Sequence, residues 1–448
     1  MRRFYFIFWR VLFLLIPIFS FAQAEKPNIL LILVDDLGYG DLSCQGTMDI
    51  YTPNIDKLMD DGIKLTDFYA NCPVCSPTRA SLMTGRYPDL VGVPGVIREE
   101  NVGNWGYFQP DGPTLPQMLN QAGYYTGMVG KWHLGLDSPN TPNERGFKYF
   151  HGFLGDMMDD YYTHLRHGHN YMRLNKEVVN PEGHATDVFS EWAIDFIEKQ
   201  KKNQKPFFLY LAYNAPHDPI QPPDDWLKKV KDRESGISPK RAGLVALIEH
   251  MDEGIGKVIG SLKSTNQYDN TLIIFTSDNG GALGFGANNG DLRGGKGNMF
   301  EGGLKVPACF VWKDKIPQGI KSNQAGMTMD LYPTLCEIAG ITVQHNIDGV
   351  SLWPVLNESL QRIKIDRTLF WVRREGWAFN GLAYYAARYE NIKLVQNTPF
   401  EEFLFFDIST DNIEENPIEE ETGIIKKLRI QLQEHIRRSG SVPFQPPK

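Results

Sequence analysis

Apolar residues in this chain fall into short continuous runs, and amphipathic stretches separate them. Asn28–Val34 (NILLILV) is apolar after its first position, which predicts a strand buried on both faces. It ends at Asp35-Asp36. Helical periodicity predicts a helix over Pro53–Asp61, stopped by Gly62, then a short strand over Ile63–Tyr69. Leu115–Ala122 reads as a helix stopped by Gly123, and Tyr124–Val129 as a strand ending at Gly130-Lys131-Trp132-His133. His184–Lys202 has helical spacing, and Phe207–Tyr213 is a strand ending at Asn214-Ala215-Pro216-His217. A long helix over Lys240–Lys263 precedes a strand over Thr271–Ser277 that ends at Asp278-Asn279-Gly280-Gly281. A glycine-rich loop, 280–303, leads to a strand over Val306–Trp312 and a helix over Met327–Ile338 that ends at Gly340. Residues 137–183 are poor in regular pattern and rich in His, Tyr, Asp and Asn, so they read as a long surface excursion.

Strands alternating with helices predict an α/β fold, a mainly parallel central sheet with helices on both faces. After residue 355 the pattern changes. Leu369–Val372, Leu382–Ala387, Ile392–Gln396 and Phe403–Phe406 read as short strands with tight connections, followed by a helix over Gly423–Arg438. This predicts a small C-terminal antiparallel sheet-and-helix subdomain. The domain division is therefore 25–355 and 356–448, preceded by a leader over 1–24.

The leader rests on Arg2 and Arg3, an apolar run Val11–Phe19, and the small-residue cleavage pattern Ala22-Gln23-Ala24. Arg10 interrupts the apolar stretch, and the run after it is shorter than the ~20 residues needed to span a bilayer. The expectation is a periplasmic or secreted protein, exported by a cleaved signal peptide and without a stable membrane anchor. The formal charge of the 448-residue chain is -8. Removing 1–24 takes three of its 46 basic residues and none of its 54 acidic ones, which gives -11. That balance, with no basic tract, argues against a nucleic-acid partner. Five cysteines are too few for a disulfide scaffold, and the pairing of Cys44, Cys72, Cys309 and Cys336 stays open.

Candidate chemistry concentrates at the C-terminal ends of the apolar strands: Asp35 and Asp36, Lys131 and His133, His217, and Asp278 with Asn279. In open α/β sheets that edge holds the ligand. Asp35, Asp36, Asp278 and Asn279 offer hard oxygen donors, which suit Ca²⁺ better than Mg²⁺. His133 and His217 are candidate proton carriers near neutral pH. Lys296 lies in Arg293-Gly294-Gly295-Lys296-Gly297, a loop stripped of side chains that can approach an anion closely. Gly290 to Gly297 imitates a phosphate-binding loop, but Gly297 stands where Ser or Thr must hold magnesium. Cys75-Ser76-Pro77-Thr78-Arg79 places a sulfur at a helix start, with Pro77 in the first turn and Arg79 four residues on. A helix N-terminus, a small nucleophile and a fixed cation suit a tetrahedral oxyanion such as sulfate or phosphate. The Cys72/Cys75 spacing is also that of a redox pair, but no thioredoxin-like unit surrounds it.

These residues resemble the formylglycine-dependent sulfatases of the alkaline phosphatase-like superfamily, over nearly all of the chain after the leader. Cys75-Ser76-Pro77-Thr78-Arg79 matches the C-x-P-x-R modification signal of that family, and Thr84-Gly85-Arg86 its extension. Gly130-Lys131-Trp132-His133-Leu134-Gly135 matches the second signature. Ala215-Pro216-His217, Ser277-Asp278-Asn279-Gly280, Gly295-Lys296-Gly297 and Phe300-Glu301-Gly302-Gly303 match the remainder in order. The resemblance implies that a formylglycine-generating or anaerobic sulfatase-maturating enzyme oxidises Cys75 to formylglycine (3-oxoalanine). One hydroxyl of its hydrate would attack sulfur, and the other would expel the covalent sulfate. It implies one Ca²⁺ on Asp35, Asp36, Asp278, Asn279 and the modified Cys75. It also implies sulfate contacts from Lys131 and Lys296, charge stabilisation by Arg79, a base at His133 and an acid at His217.

The expected substrate is a sulfated glycan or oligosaccharide. Gly95-Val96-Ile97-Arg98 with Asn104-Trp105-Gly106-Tyr107 resembles sulfatases that act on galactose or N-acetylgalactosamine sulfates. Arg98, Asp159, His164, Arg166 and His167 are candidate sugar contacts, and Trp105, Tyr161 and Tyr162 candidate stacking faces. Two alternatives stay open: a phosphate or phosphonate ester hydrolase of the same superfamily, and a non-catalytic glycan-binding protein with an unmodified Cys75.

Overall fold

The computed structural model describes residues 26–99, 104–203, 205–357 and 365–446. The leader lies outside the described residues. Among those described, no helix is long and apolar enough to cross a membrane.

Five parallel strands form the middle of a ten-stranded sheet, in the order Thr271–Ser277, Asn28–Val34, Phe207–Ala212, Tyr125–Lys131 and Tyr149–Phe153. Strand side chains alternate between faces, so the central strand feeds two cores. Leu30, Ile32 and Val34 pack with Phe196 of the helix Ala185–Gln200 and with Ile248 and Met251 of the helix Pro239–Ser264. Ile29, Leu31 and Leu33 pack on the other face with Leu82, Met83, Leu119 and Leu335. Each fully buried aliphatic side chain contributes about 1.5–3 kcal/mol of transfer free energy. The continuous apolar run therefore fixes the strand between two helical layers.

Register carries the functional consequence. Val34 lies beside Ser277, Leu33 beside Ala212, and Ala212 beside Gly130. The polar residues that come after these strands therefore emerge side by side at one edge of the sheet.

Residues 137–183 are more ordered than their composition predicts. Tyr149–Phe153 is a parallel strand, and Met172–Leu174 and Glu177–Val178 extend the sheet beyond it. Their polar residues hide the pattern, and so does Gly152, whose added Cβ would lie 2.1 Å from the Gly130 carbonyl oxygen. The expected strand over Ile63–Tyr69 divides after Leu65. Ile63–Leu65 joins the large sheet, while Phe68–Tyr69 pairs with Gly326–Met327. The helix Asp224–Arg233 escapes the sequence pattern because Val230 is its only buried residue.

Leu369–Arg374, Ala383–Tyr389, Ile392–Gln396 and Leu404–Asp407 form the expected antiparallel sheet. The helix Gly423–Ser439 covers one face through Ile425, Leu428 and Leu432. The other face packs Trp371 against Tyr69, and Trp371 Nε1 donates to the Ala70 carbonyl at 2.8 Å. That bond joins the C-terminal sheet to the segment just before the Cys75 loop.

Candidate active site

Cys75 opens the helix Cys75–Thr84, every residue of which is buried. Val74 before it is extended, and the Thr78 hydroxyl lies 3.2 Å from both the Cys72 N–H and the Cys72 carbonyl, closing the loop onto the helix start. Gly85 ends the helix in the left-handed region at φ 67°, which favours glycine.

Arg79 projects from the same helix into a charged cluster. Its Nε and Nη2 donate to Asp278 Oδ2 at 3.0 and 2.7 Å, and Nη1 donates to the Lys131 carbonyl at 2.9 Å. Lys131, the last residue of its strand, donates to Asp35. Asp36 sits at φ 67°, and its N–H points at Asp278 Oδ1 at 3.3 Å. Asn279 Nδ2 donates to Asp36 Oδ1 at 2.8 Å, and Lys296 Nζ to Asp36 Oδ2 at 2.7 Å.

Burial opposes ionisation of Asp35, but Lys131, His217 and Arg79 together hold its carboxyl well below the usual range. Burial and the Asp35 charge push Asp278 up to about 7. Two oxygens of this cluster, Asp35 Oδ1 and Asn279 Oδ1, are buried without a hydrogen-bond partner among the described residues. Donor atoms of Asp35, Cys75 and Asp278 lie within 4.8 Å of one another, as do those of Asp35, Asp36 and His217. Unpartnered buried oxygens beside repelling carboxylates are what a hard cation relieves. The donor set therefore fits such an ion.

The Cys75 thiol is pushed up to about 12, with burial outweighing the attraction of Lys131. It stays protonated near neutrality, so the helix N-terminus does not make it a thiolate nucleophile. His133, at φ 60°, donates from Nε2 to the Ile97 carbonyl at 2.9 Å. Its Nδ1 is buried and unpartnered among the described residues. Burial and the neighbouring Lys131 hold this imidazole well below its ordinary pKa, so it rests neutral with its lone pair on Nδ1. His217 is oriented by the Tyr161 hydroxyl on its carbonyl (2.8 Å) and by Nδ1 on the Asp218 carbonyl (2.7 Å). Its Nε2 lies 2.9 Å from Lys296 Nζ.

Cys75, His133, His217 and Lys296 line a cavity of about 320 Å³ together with Arg98, Asp156, Arg373, Glu375 and Phe379. Of the sugar contacts expected from the sequence, Arg98 reaches this cavity; Asp159, His164, Arg166 and His167 do not line it. His164 is buried on the Gly183 carbonyl (3.0 Å). Arg166 binds Asp159 Oδ1 at 2.9 Å and reaches Asp156 Oδ1 at 2.9 Å, so it braces a wall residue. The His167 N–H caps Asp159. Tyr161 is buried, Trp105 is stacked on Phe444 with ring centroids 5.0 Å apart, and neither lines the cavity. Asp156, Arg373, Glu375 and Phe379 were not legible as site residues. Arg373 is next to last in a strand of the C-terminal sheet, and Glu375 and Phe379 lie in the turn after it; the one local signal is the charge cluster Arg373-Arg374-Glu375 after the apolar run Leu369–Val372. All five cysteines are free thiols.

Residues 27–341 match the family model described as Sulfatase. The chain belongs to the sulfatase family. Residues 295–440 of this sulfatase also match the model for the C-terminal region of N-sulphoglucosamine sulphohydrolase. Among relatives, N-acetylgalactosamine-6-sulfatase of Canis lupus familiaris is 33% identical over 409 residues, covering 85% of this chain and 75% of that protein. The Homo sapiens protein of the same name is 34% identical over 375 residues, covering 78% and 69%. Among solved structures, Ps i-CgsB superposes with a TM-score of 0.85 at 34% identity, covering 94% of this chain and 95% of that one. The same protein has been solved in complex with k-i-k-neocarrahexaose. PsFucS1 from Pseudoalteromonas sp., at 24% identity and a TM-score of 0.77, shares the fold. This sulfatase is thus a sulfuric ester hydrolase on an alkaline phosphatase-like fold.

Proposed function

We propose that this sulfatase removes sulfate from galactose or N-acetylgalactosamine residues of a sulfated glycan, with Cys75 matured to formylglycine and one Ca²⁺ held by Asp35, Asp36, Asp278 and Asn279. The observation that carries the reading is the state of Cys75. Its thiol, pushed up by burial to about 12, lies with donor atoms of Asp35 and Asp278 within 4.8 Å, at the start of the helix that also carries Arg79. Oxidation to the aldehyde would supply, as its hydrate, the oxygen nucleophile that the site lacks. Cys75 is 3% exposed inside a buried helix, so a maturation enzyme must reach it before the chain folds.

Asp35, Asp36, Asp278 and Asn279 would hold the cation, whose charge would offset the negative charge of the nucleophile and the sulfate. Lys131 and Lys296 hold sulfate oxygens, and their ammonium groups offset charge that builds up in the transition state. Arg79 fixes Asp278 from the helix that carries residue 75. His133 takes a proton at Nδ1, the ring nitrogen with no partner among the described residues. His217, held by Tyr161 and Asp218, takes a proton at Nε2 from the Lys296 ammonium that faces it and delivers it to the departing sugar oxygen. Arg98 and Asp156, whose nearest polar atoms are 3.8 Å apart, stand where sugar hydroxyls would be met.

The substrate class is supported by the relatives, named for N-acetylgalactosamine 6-sulfate, and by the neocarrahexaose bound to Ps i-CgsB. A panel of defined sulfated saccharides, scored by released sulfate, tests it. Turnover should concentrate on galactose and N-acetylgalactosamine sulfates. Preference for glucosamine sulfates would overturn the sugar assignment, and faster cleavage of matched phosphate esters would overturn the reaction class.

A further inference from the structure

We propose that the C-terminal sheet positions Lys296, with Asn397, Lys393 and Glu414 acting as positioning residues on the loop that carries it. The inference rests on the role assigned above to Lys296.

The loop 293–303 is rich in glycine and has little conformational preference of its own. Yet Lys296 Nζ must lie 2.7 Å from Asp36 and 2.9 Å from His217. The catalytic domain supplies part of the restraint. The Lys296 N–H donates to the Gly281 carbonyl at 3.0 Å, and the Gly297 N–H to the Pro73 carbonyl at 2.8 Å. Gly302 packs so closely on the loop's own start that an added Cβ would lie 2.3 Å from the Gly294 carbonyl oxygen.

The rest of the restraint comes from beyond residue 369. Arg373 Nη1 donates to the Gly297 carbonyl at 2.6 Å. Asn397 Oδ1 accepts from the Met299 N–H at 2.7 Å. Glu414 Oε2 accepts from the Glu301 N–H at 2.6 Å, and the Glu414 carbonyl accepts from Arg293. Lys393 Nζ stands between Glu301 Oε1 and Glu414 Oε1, 2.8 Å from each. Successive parts of the loop are thus gripped from one subdomain.

The chemistry of this grip argues for placement over bulk stability. Glu301, Lys393 and Glu414 are no more than 1% exposed. Burying three charges costs desolvation that an apolar cluster of the same size avoids. What charged hydrogen bonds add is direction: Arg373 and Lys393 donate to the loop, while Asn397 and Glu414 accept from it, which fixes one register between the two. Glu414 adopts φ 53°, the left-handed region, to deliver both its carboxylate and its carbonyl. The loop so held carries one functional ammonium, that of Lys296.

The test is a double-mutant cycle on the full-length matured enzyme. Asn397→Ala and Glu414→Gln are made in the parent and in Lys296→Gln, and kcat/KM and Tm are measured for each. In the parent, each should lower kcat/KM about tenfold through displacement of Lys296. In the Lys296→Gln background the same changes should cost less than about twofold, while the Tm shifts stay equal in both backgrounds. Asn397→Asp, which keeps the acceptor, should restore the parent value. Equal losses in both backgrounds, or no loss in the parent, would overturn the proposal. Should Glu414→Gln not fold, Asn397→Ala alone decides. A Lys296→Gln enzyme with parental kcat/KM is a distinct failure: it refutes the role of Lys296 itself, and the inference falls with it.

Discussion

The guanidinium of Arg79 donates twice to one oxygen of Asp278, from Nε at 3.0 Å and from Nη2 at 2.7 Å. This fork ties the helix that begins at Cys75 to the end of the strand Thr271–Ser277, with both side chains 1% exposed or less. An ammonium on a flexible stem cannot reproduce it. Arg79→Lys should lower kcat/KM by about 100-fold and reduce Tm. Steady-state kinetics beside thermal unfolding will check this, and an unchanged kcat/KM would remove Arg79 from the site.

Replacing Cys75 separates folding from chemistry. Cys75→Ser should keep the fold, because the hydroxyl is smaller than the thiol and the helix start does not depend on sulfur. Turnover should fall to background. In active wild-type protein, mass spectrometry of the Cys75 peptide should show the aldehyde in place of the thiol. An active enzyme with unmodified Cys75 would defeat the covalent scheme.

Asp35 Oδ1 and Asn279 Oδ1, the two site oxygens without a hydrogen-bond partner among the described residues, make a thermodynamic prediction that needs no turnover. Calcium added to chelator-treated protein should raise Tm, in proportion to the logarithm of its concentration above Kd. About 2.7 kcal/mol is expected at 100 times Kd. Asn279→Leu should suppress most of that rise. A Tm indifferent to both calcium and chelator would contradict the site.

His184 offers a pH prediction away from the reaction. Burial, and then the neighbouring His250, lower it to about 4. In the unfolded chain it titrates near 6.5. Between those values the unfolded state binds a proton that the folded state refuses. The stability contribution is therefore fully present above pH 6.5 and is lost as pH falls to about 4, at about 1.4 kcal/mol per pH unit. His184 accepts from the Thr186 N–H, and Asn can replace that helix cap without titrating. Urea denaturation of His184→Asn across this window should show a shallower decline than the parent. Parallel curves would refute the assignment.

His217 should reveal itself through the leaving group. A nitrophenolate departs without protonation, whereas a sugar alkoxide does not. His217→Ala should therefore depress cleavage of sulfated saccharides far more than that of nitrophenyl sulfate. Equal losses on both would assign His217 to positioning.

Residues close in the chain were legible because their physics is local. The apolar run Asn28–Val34 declared a doubly buried strand, and the polar residues just past four such strands declared an edge. Pro77 and Arg79 declared a helix start facing an anion. Long-range placement was not available from the chain. Asp159, His164 and His167 look like sugar ligands by residue type, yet hydrogen bonds to Arg166, Gly183 and one another occupy them away from the cavity. Arg373, Glu375 and Phe379 look like an ordinary strand end and turn, yet they wall the cavity.

For the opening of the helix at Cys75 the division is sharper. The C-x-P-x-R pattern at Cys75, the strands, and the residue types that converge beside it can be read from the chain, since each depends on neighbours a few positions away. The folded arrangement shows what no neighbour in the chain does: that the thiol is buried, that two oxygens at the site have no hydrogen-bond partner among the described residues, and that the C-terminal subdomain grips the loop carrying Lys296. Desolvation, satisfaction of polar atoms and contact across subdomains all depend on which surfaces meet, and no local pattern in the chain encodes that.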